Sequence, residues 1–177
     1  MWRLLRTKES IRDHGVVLLR GFVMSLLLAV SVGCAPEETD QVATISGTST
    51  ALTGTDWMVV NYWAEWCGPC RHEIPELNDL DGDSAGTEPG LSVKVLGVNY
   101  DGLRDQKLKD VSARMGIEFA VLIEDPGQRW GQQAPTVLPS TYIVAPCGDF
   151  VETLVGPQTR AGILSRIETL AAQRVDS

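Results

Sequence analysis

Apolar and polar positions along this chain change period several times, and each change marks an element. Trp57-Met58-Val59-Val60-Asn61-Tyr62-Trp63 is a nearly unbroken run of aromatic and β-branched residues, the pattern of a buried strand. From Cys67 to Leu80 the period lengthens. Ile74, Leu77 and Leu80 recur at three-residue spacing while Arg71, Glu73, Glu76 and Asp79 occupy the other face, which predicts a helix with Pro75 kinking it from inside. Asp81-Gly82-Asp83 and the glycines at 86 and 90 end the pattern. A second strand is expected over 93–99 and a second helix over 103–115, stopped by Gly116. Residues 120–123 read as a short strand. Residues 141–144 and 150–155 flank Ala145-Pro146-Cys147-Gly148-Asp149 and read as a hairpin, and Ile163, Leu164, Ile167 and Leu170 share one face of a last helix over 159–172. Strands alternating with helices pair in parallel and a late hairpin adds antiparallel strands, so the fold class is α/β, a mixed central sheet flanked by helices.

The first third of the chain reads differently. Residues 1–33 carry Arg3, Arg6, Lys8, Arg12 and Arg20 ahead of an apolar run, 22–32, with small residues at its end. That is a secretory signal peptide, and the run falls short of the about 20 residues a spanning helix needs. Gly33-Cys34-Ala35 resembles the lipobox of bacterial lipoproteins, in which the cysteine is lipidated and becomes the new N-terminus; Ser31 stands where that motif usually has an aliphatic residue. The resemblance makes Cys34 the lipidation site and places the chain on the periplasmic side of a bacterial membrane. Ala35, not Asp, follows the cysteine, which leans toward the outer membrane. The alternative is an uncleaved anchor with an incidental cysteine. Residues 34–55 are rich in Thr, Ser and acidic groups and poor in large apolar ones, so a lipid-anchored flexible tether is expected there, with the folded domain over 56–177.

Charge narrows the function. Of 15 Lys/Arg and 23 Asp/Glu, five and two fall in residues 1–33, leaving ten against twenty-one in the remainder. An acidic domain with no basic stripe is a poor partner for phosphates, so no nucleic-acid role is expected. The four cysteines, at 34, 67, 70 and 147, are too few and too unevenly spaced for a disulfide-framework scaffold.

Trp66-Cys67-Gly68-Pro69-Cys70 sits where the first strand turns into a helix. Free N–H groups and the positive dipole end there favour a thiolate on Cys67, an exposed sulfur acidified from its ordinary value near 8.5. Cys70, one turn further in, is the resolving thiol, which attacks the mixed disulfide formed between Cys67 and a client. Pro69 fixes φ where the helix start needs no donor.

The segment Trp63-Ala64-Glu65-Trp66-Cys67-Gly68-Pro69-Cys70-Arg71, with Pro75 beyond it, resembles the active-site segment of the thioredoxin superfamily. Ile74-Pro75-Glu76-Leu77, Gly97-Val98-Asn99-Tyr100-Asp101 and an extra helix and strand before Pro139 make it similar to TlpA-like and cytochrome c maturation thioredoxins over about residues 57–172. The resemblance implies a thioredoxin-like fold and thiol-disulfide oxidoreductase activity. It makes Pro139, within Val137-Leu138-Pro139-Ser140-Thr141, a cis-proline beside the disulfide, and Leu138 the residue that meets the client, with Trp66, Gly68 and Pro69 completing the substrate-binding surface. The partners it implies are oxidised extracytoplasmic proteins, apocytochrome c among them, and a membrane-embedded thiol donor. The N-terminal β-hairpin usual in TlpA-like proteins is not evident here. Asn61 stands where cytoplasmic thioredoxins carry a buried Asp that takes protons from the second cysteine. Glu65 is a candidate substitute, and a solvated strand-end charge is its other reading.

Other readings of the same residues remain. Half a zinc site would need two more donors from among Cys147, His72 and the remote His14, and no metal is expected. A structural disulfide of three-residue spacing would constrain little of the unfolded chain. His72 reads as a solvated helix residue or a catalytic base, and Cys147 as an exposed turn residue or an intermolecular link. Trp57, Trp63 and Trp130 read as core or site-lining rings. The glycines of 82–90 lack phosphate-loop spacing, so no nucleotide or other cofactor is expected. A thiol peroxidase of the same fold would use a Thr-x-x-Cys context, which is missing. A non-enzymatic lipoprotein binding module is the alternative from a different class.

Overall fold

The computed structural model describes residues 40–82 and 91–175. Their order is β1 (Gln41–Ala43), β2 (Ser49–Ala51), β3 (Trp57–Trp63), α1 (Gly68–Gly82), β4 (Val93–Asn99), α2 (Asp105–Met115), β5 (Ala120–Val121), β6 (Ser140–Ala145), β7 (Asp149–Val155) and α3 (Arg160–Val175). Five strands form one sheet in the order β5-β4-β3-β6-β7. β3 pairs parallel with β4, and β4 with β5, whereas β6 runs antiparallel to both β3 and β7. The mixed sheet expected from the alternation of periods is therefore present.

β3 is central, and all seven of its residues are buried, which explains its nearly unbroken apolar run. Its side chains alternate between faces. Trp57 and Val59 pack with Leu77 and Leu80 of α1 and Ile163, Ile167 and Leu170 of α3. Met58, Val60 and Tyr62 enter a second cluster with Leu96, Val98 and Tyr142. Trp63, at the end of the strand, joins Ile74 of α1 and Leu108, Val111 and Met115 of α2 in a third cluster that also holds both site cysteines. α1 continues through Pro75, and α2 ends at Gly116 in the left-handed region (φ 70°), as the sequence predicts.

Two expectations are corrected. The tether reading of 34–55 fails from residue 40 onward, because β1 and β2 pair as an antiparallel hairpin. Val42 and Leu52 are buried in the second cluster. The hairpin is also tied to the sheet by Ile45 N–H on the Val121 carbonyl, Ile123 N–H on the Ala43 carbonyl, and a bridge between Thr44 and Leu122. The hairpin thus covers the outer edge of a two-residue strand, β5, whose backbone groups need partners. The signal peptide expected over residues 1–33, and Cys34, lie outside the described residues. The second correction is Glu73. Read as part of the solvated face of α1, it retains 1 % exposure.

Candidate active site

Cys67 precedes α1 immediately, at the point where β3 ends, and the backbone turns there with Cys67 N–H on the Ala64 carbonyl at 3.1 Å. Cys67 and Cys70 are joined by a disulfide with an S–S distance of 2.01 Å. The N–H of Cys70 donates to Sγ of Cys67 at 3.2 Å. A helix-start amide aimed at that sulfur is the electrostatic arrangement that favours a thiolate. Cys67 keeps only 3 % exposure, less than the sequence expectation, and Cys70 none. The asymmetry orders the two sulfurs, since a partner arriving from solvent meets Cys67 first.

The rim is built from exposed residues. Trp66 is 66 % exposed, and its Nε1–H donates to both carboxylate oxygens of Asp101 at 3.1 and 3.2 Å. Its ring meets Tyr100 edge to face, with centroids 6.2 Å apart. Tyr100 is itself fixed by its N–H on the Trp63 carbonyl. The segment following β4 therefore holds the indole beside Cys67. Gly68 and Pro69 are exposed at the mouth. On the far side the Leu138–Pro139 peptide is cis, and Leu138 packs against the cluster containing Cys67 and Cys70. The residues singled out from sequence, Cys67, Cys70, Trp66, Gly68, Pro69, Leu138 and Pro139, thus converge at one end of the sheet.

Glu65 takes a different place. Its carboxylate receives a two-pronged pair of bonds from Arg114, at 2.8 and 3.2 Å, while Arg71 donates to its backbone carbonyl at 2.6 Å. The Arg114 hydrogen bond holds its pKa below the ordinary carboxylate range. A carboxylate kept ionised in this way is a poor acceptor for a thiol proton. His72 is exposed. Cys147 is exposed in the turn between β6 and β7 at φ 71°.

The residue that sequence reasoning missed is Glu73. Oε1 accepts from Asn61 Nδ2 at 2.7 Å, and Oε2 accepts from Gln158 N–H at 3.0 Å. Burial pushes its carboxyl up to about 7, against the two hydrogen bonds, which favour the charged form. Asn61, in turn, donates to Thr141 Oγ1 at 3.1 Å. Spacing held the signal. Glu73 follows Cys70 by three residues and precedes Leu77 by four, which puts all three on the sheet-facing side of one helix. A titratable carboxyl one turn behind Cys70, beside a strand that offers an amide instead of an acid, is equipped to hold a proton near neutral pH.

Known proteins share this fold. The structure of StoA from Bacillus subtilis superposes with a TM-score of 0.55 at 20% identity, over 70% of this chain and 91% of that one, so the fold is thioredoxin-like. The chain belongs to the AhpC/TSA family, whose sequence model matches residues 35–151. Among curated proteins, it is 33% identical over 119 residues to the thiol:disulfide interchange protein HelX of Rhodobacter capsulatus, covering 67% of this chain and 62% of HelX. The thiol-disulfide oxidoreductase ResA of Geobacillus thermodenitrificans is 24% identical over 111 residues, covering 63% of this chain and 61% of ResA. The chain thus spans about three fifths of the length of these relatives. Among the described residues no helix is long and apolar enough to cross a membrane, and no group of three or more His, Cys, Asp or Glu is placed to hold a metal.

Proposed function

We propose that this protein is a thiol-disulfide oxidoreductase that reduces disulfides of extracytoplasmic proteins through the 67–70 dithiol. The observation that carries the reading is the arrangement around one sulfur. Cys67 is the member of the pair that keeps some exposure, it receives a helix-start N–H, and Glu73 lies buried one turn behind its partner.

In the reduced enzyme the Cys67 thiolate attacks a client disulfide. A bond forms between Sγ67 and one client sulfur, the client S–S bond breaks, and the other client sulfur leaves as a thiolate. Cys70, losing its proton to the Glu73 carboxylate, then attacks Sγ67. The 67–70 disulfide forms, the mixed disulfide breaks, and the client departs with two electrons and two thiols once protonated. Trp66, Gly68 and Pro69 line the approach, and the backbone at Leu138, held by Pro139, pairs with the client. Glu65 orders the turn before Cys67 through Arg114 and leaves the proton to Glu73.

In the cell, residues 1–33 act as a signal peptide and Cys34 is lipidated, which puts the domain on the periplasmic side of a bacterial membrane, the outer one favoured by Ala35. A membrane-embedded thiol donor returns electrons to the pair, and apocytochrome c is a client whose maturation requires free thiols.

The test is turnover of a protein disulfide, insulin or an oxidised haem-binding peptide, with a dithiol as electron source. Wild type turns over and Cys67→Ser does not. Equal activity in Cys67→Ser supports the binding module instead, and consumption of peroxide without exchange supports the peroxidase.

A further inference from the structure

Glu73 has connections beyond the dithiol, and both lead to the segment that carries Pro139. On one side, Nδ2 of Asn61 bonds Oε1 of Glu73 and also Oγ1 of Thr141, two residues past Pro139 on β6. On the other side, Gln158 N–H bonds Oε2, Gln158 Nε2 donates to the Gly156 carbonyl at 2.8 Å, and Gly156 N–H donates to the Pro139 carbonyl at 2.9 Å. Glu76 reinforces this second arm by accepting Arg160 N–H at 2.9 Å, which pins the 156–160 loop to α1 at two points.

One atom in this network stays unpaired. Oδ1 of Asn61 is buried without a hydrogen-bond partner, in a residue with no exposure. An orphaned buried acceptor is costly, so its position calls for a reason. A half-turn of the Asn61 amide when Glu73 carries a proton exchanges the two ends: Oδ1 then accepts from the carboxylic O–H and from the Thr141 hydroxyl, which donates as readily as it accepts, and Nδ2 takes the unpaired position. The ionised arrangement uses Nδ2 for both neighbours and the protonated one uses Oδ1. The Gln158 arm has no such exchange. Its N–H is a donor in either state, so protonation turns a charge-assisted bond into an ordinary, weaker one.

Among the described residues no charged side chain bonds Glu73. Its own helix contributes Cys70, the exposed Arg71 and His72, and Glu76, with Cys67 just before it, while α3 contributes Arg160. β3 and β6 face it with the uncharged Asn61 and Thr141, because Tyr62 and Tyr142 belong to the cluster on the other side of the sheet.

Resting on the reading of the 67–70 pair as a client-reactive dithiol, we propose that Asn61 and Gln158 are positioning residues. Through them the proton held by Glu73 is transmitted to Leu138 and Pro139. A client is gripped tightly by one protonation state of the site and released by the other, in step with the proton that accompanies thiol exchange.

The test is an NMR pH titration of the full-length oxidised chain that follows the Glu73 carboxyl carbon, the Asn61 side-chain amide and the Gly156 amide. Both amides are expected to shift with the Glu73 midpoint, and Glu73→Gln to abolish both responses. Gln158→Leu keeps the Glu73 titration and uncouples Gly156 from it. In turnover with a protein disulfide it raises KM about fivefold, leaving kcat and the rate with a small aromatic disulfide unchanged, the signature of lost uniform binding. A Gly156 amide that stays still while Glu73 titrates overturns the proposal, as does an unchanged client KM in Gln158→Leu. Failure of wild type to exchange disulfides refutes the proposed function instead, and the titration, which needs no activity, still decides whether the network transmits the proton.

Discussion

Nδ2 of Asn61 and Oε1 of Glu73 lie 2.7 Å apart beneath the Cys67–Cys70 disulfide, and both residues are closed to solvent. An amide donor facing a carboxyl raised to about 7 makes a site whose charge changes within the working range of a thiol enzyme. An acid at position 61 would instead place two carboxyls on one proton.

Stability should depend on pH through this carboxyl. Its folded value lies above the unfolded one, so the folded state binds more protons between about 4.5 and 7, and stability is full below that window and lost as pH rises through it. Two to three units at about 1.4 kcal/mol each give a loss of roughly 3 kcal/mol. Denaturant midpoints of the oxidised protein at pH 4.5 and 8 measure it, and Glu73→Gln should flatten the profile and raise stability at pH 8.

Glu65→Gln should leave turnover within about twofold of wild type and the pH–rate profile unmoved, since Arg114 keeps this carboxylate ionised throughout the active range. Glu73→Gln should remove an inflection near neutrality from the same profile. Parallel pH–rate curves for the two variants distinguish the roles, and an effect of Glu65→Gln as large as that of Glu73→Gln would return the proton to residue 65.

The hairpin at residues 41–51 should behave as part of the domain. Leu52, buried beneath it, should cost about 2–4 kcal/mol when replaced by Ala. A chain starting at residue 56 should melt lower than one starting at residue 36. Equal melting temperatures would restore the tether reading.

Gly97→Ala should destabilise the protein by about 1–3 kcal/mol through overpacking. A Cβ there would stand 2.9 Å from Cε2 of Phe119 and 3.0 Å from Nε1 of Trp63, both ring atoms inside the packed core. Thermal unfolding of the variant checks this, and the near-ultraviolet signal of Trp63 should change with it.

The parts of the fold that could be read from the chain are those where local pattern and burial coincide. β3 and β4 are buried over nearly their whole length and carry mostly apolar runs, interrupted at Asn61 and Lys94, while Gly116 and the turn around Gly148 mark ends by chemistry that depends on a few neighbours. The Cys67–Cys70 motif and Leu138–Pro139 were legible for a different reason, a resemblance carried by a dozen residues. The hairpin was not, because Gln41-Val42-Ala43 and Ser49-Thr50-Ala51 offer one large apolar side chain between them and owe their order to the exposed edge of β5, 70 or more residues away. Glu73 was misplaced because helical periodicity gives charged residues to solvent, whereas its surroundings are made by Asn61 and Gln158, 12 and 85 residues distant. Glu65 looked available only while Arg114, 49 residues on, was unplaced.

In the proposed cycle Cys67 captures clients and Cys70 releases them. The cycle is tested most directly by incubating reduced Cys70→Ser protein with extracytoplasmic disulfide proteins and resolving covalent adducts on non-reducing gels, with Cys67→Ser in parallel. Reducible adducts are expected at position 67 in the first variant and none in the second. Absence of adducts from Cys70→Ser, together with a Cys67 thiol that titrates like free cysteine, would contradict the cycle.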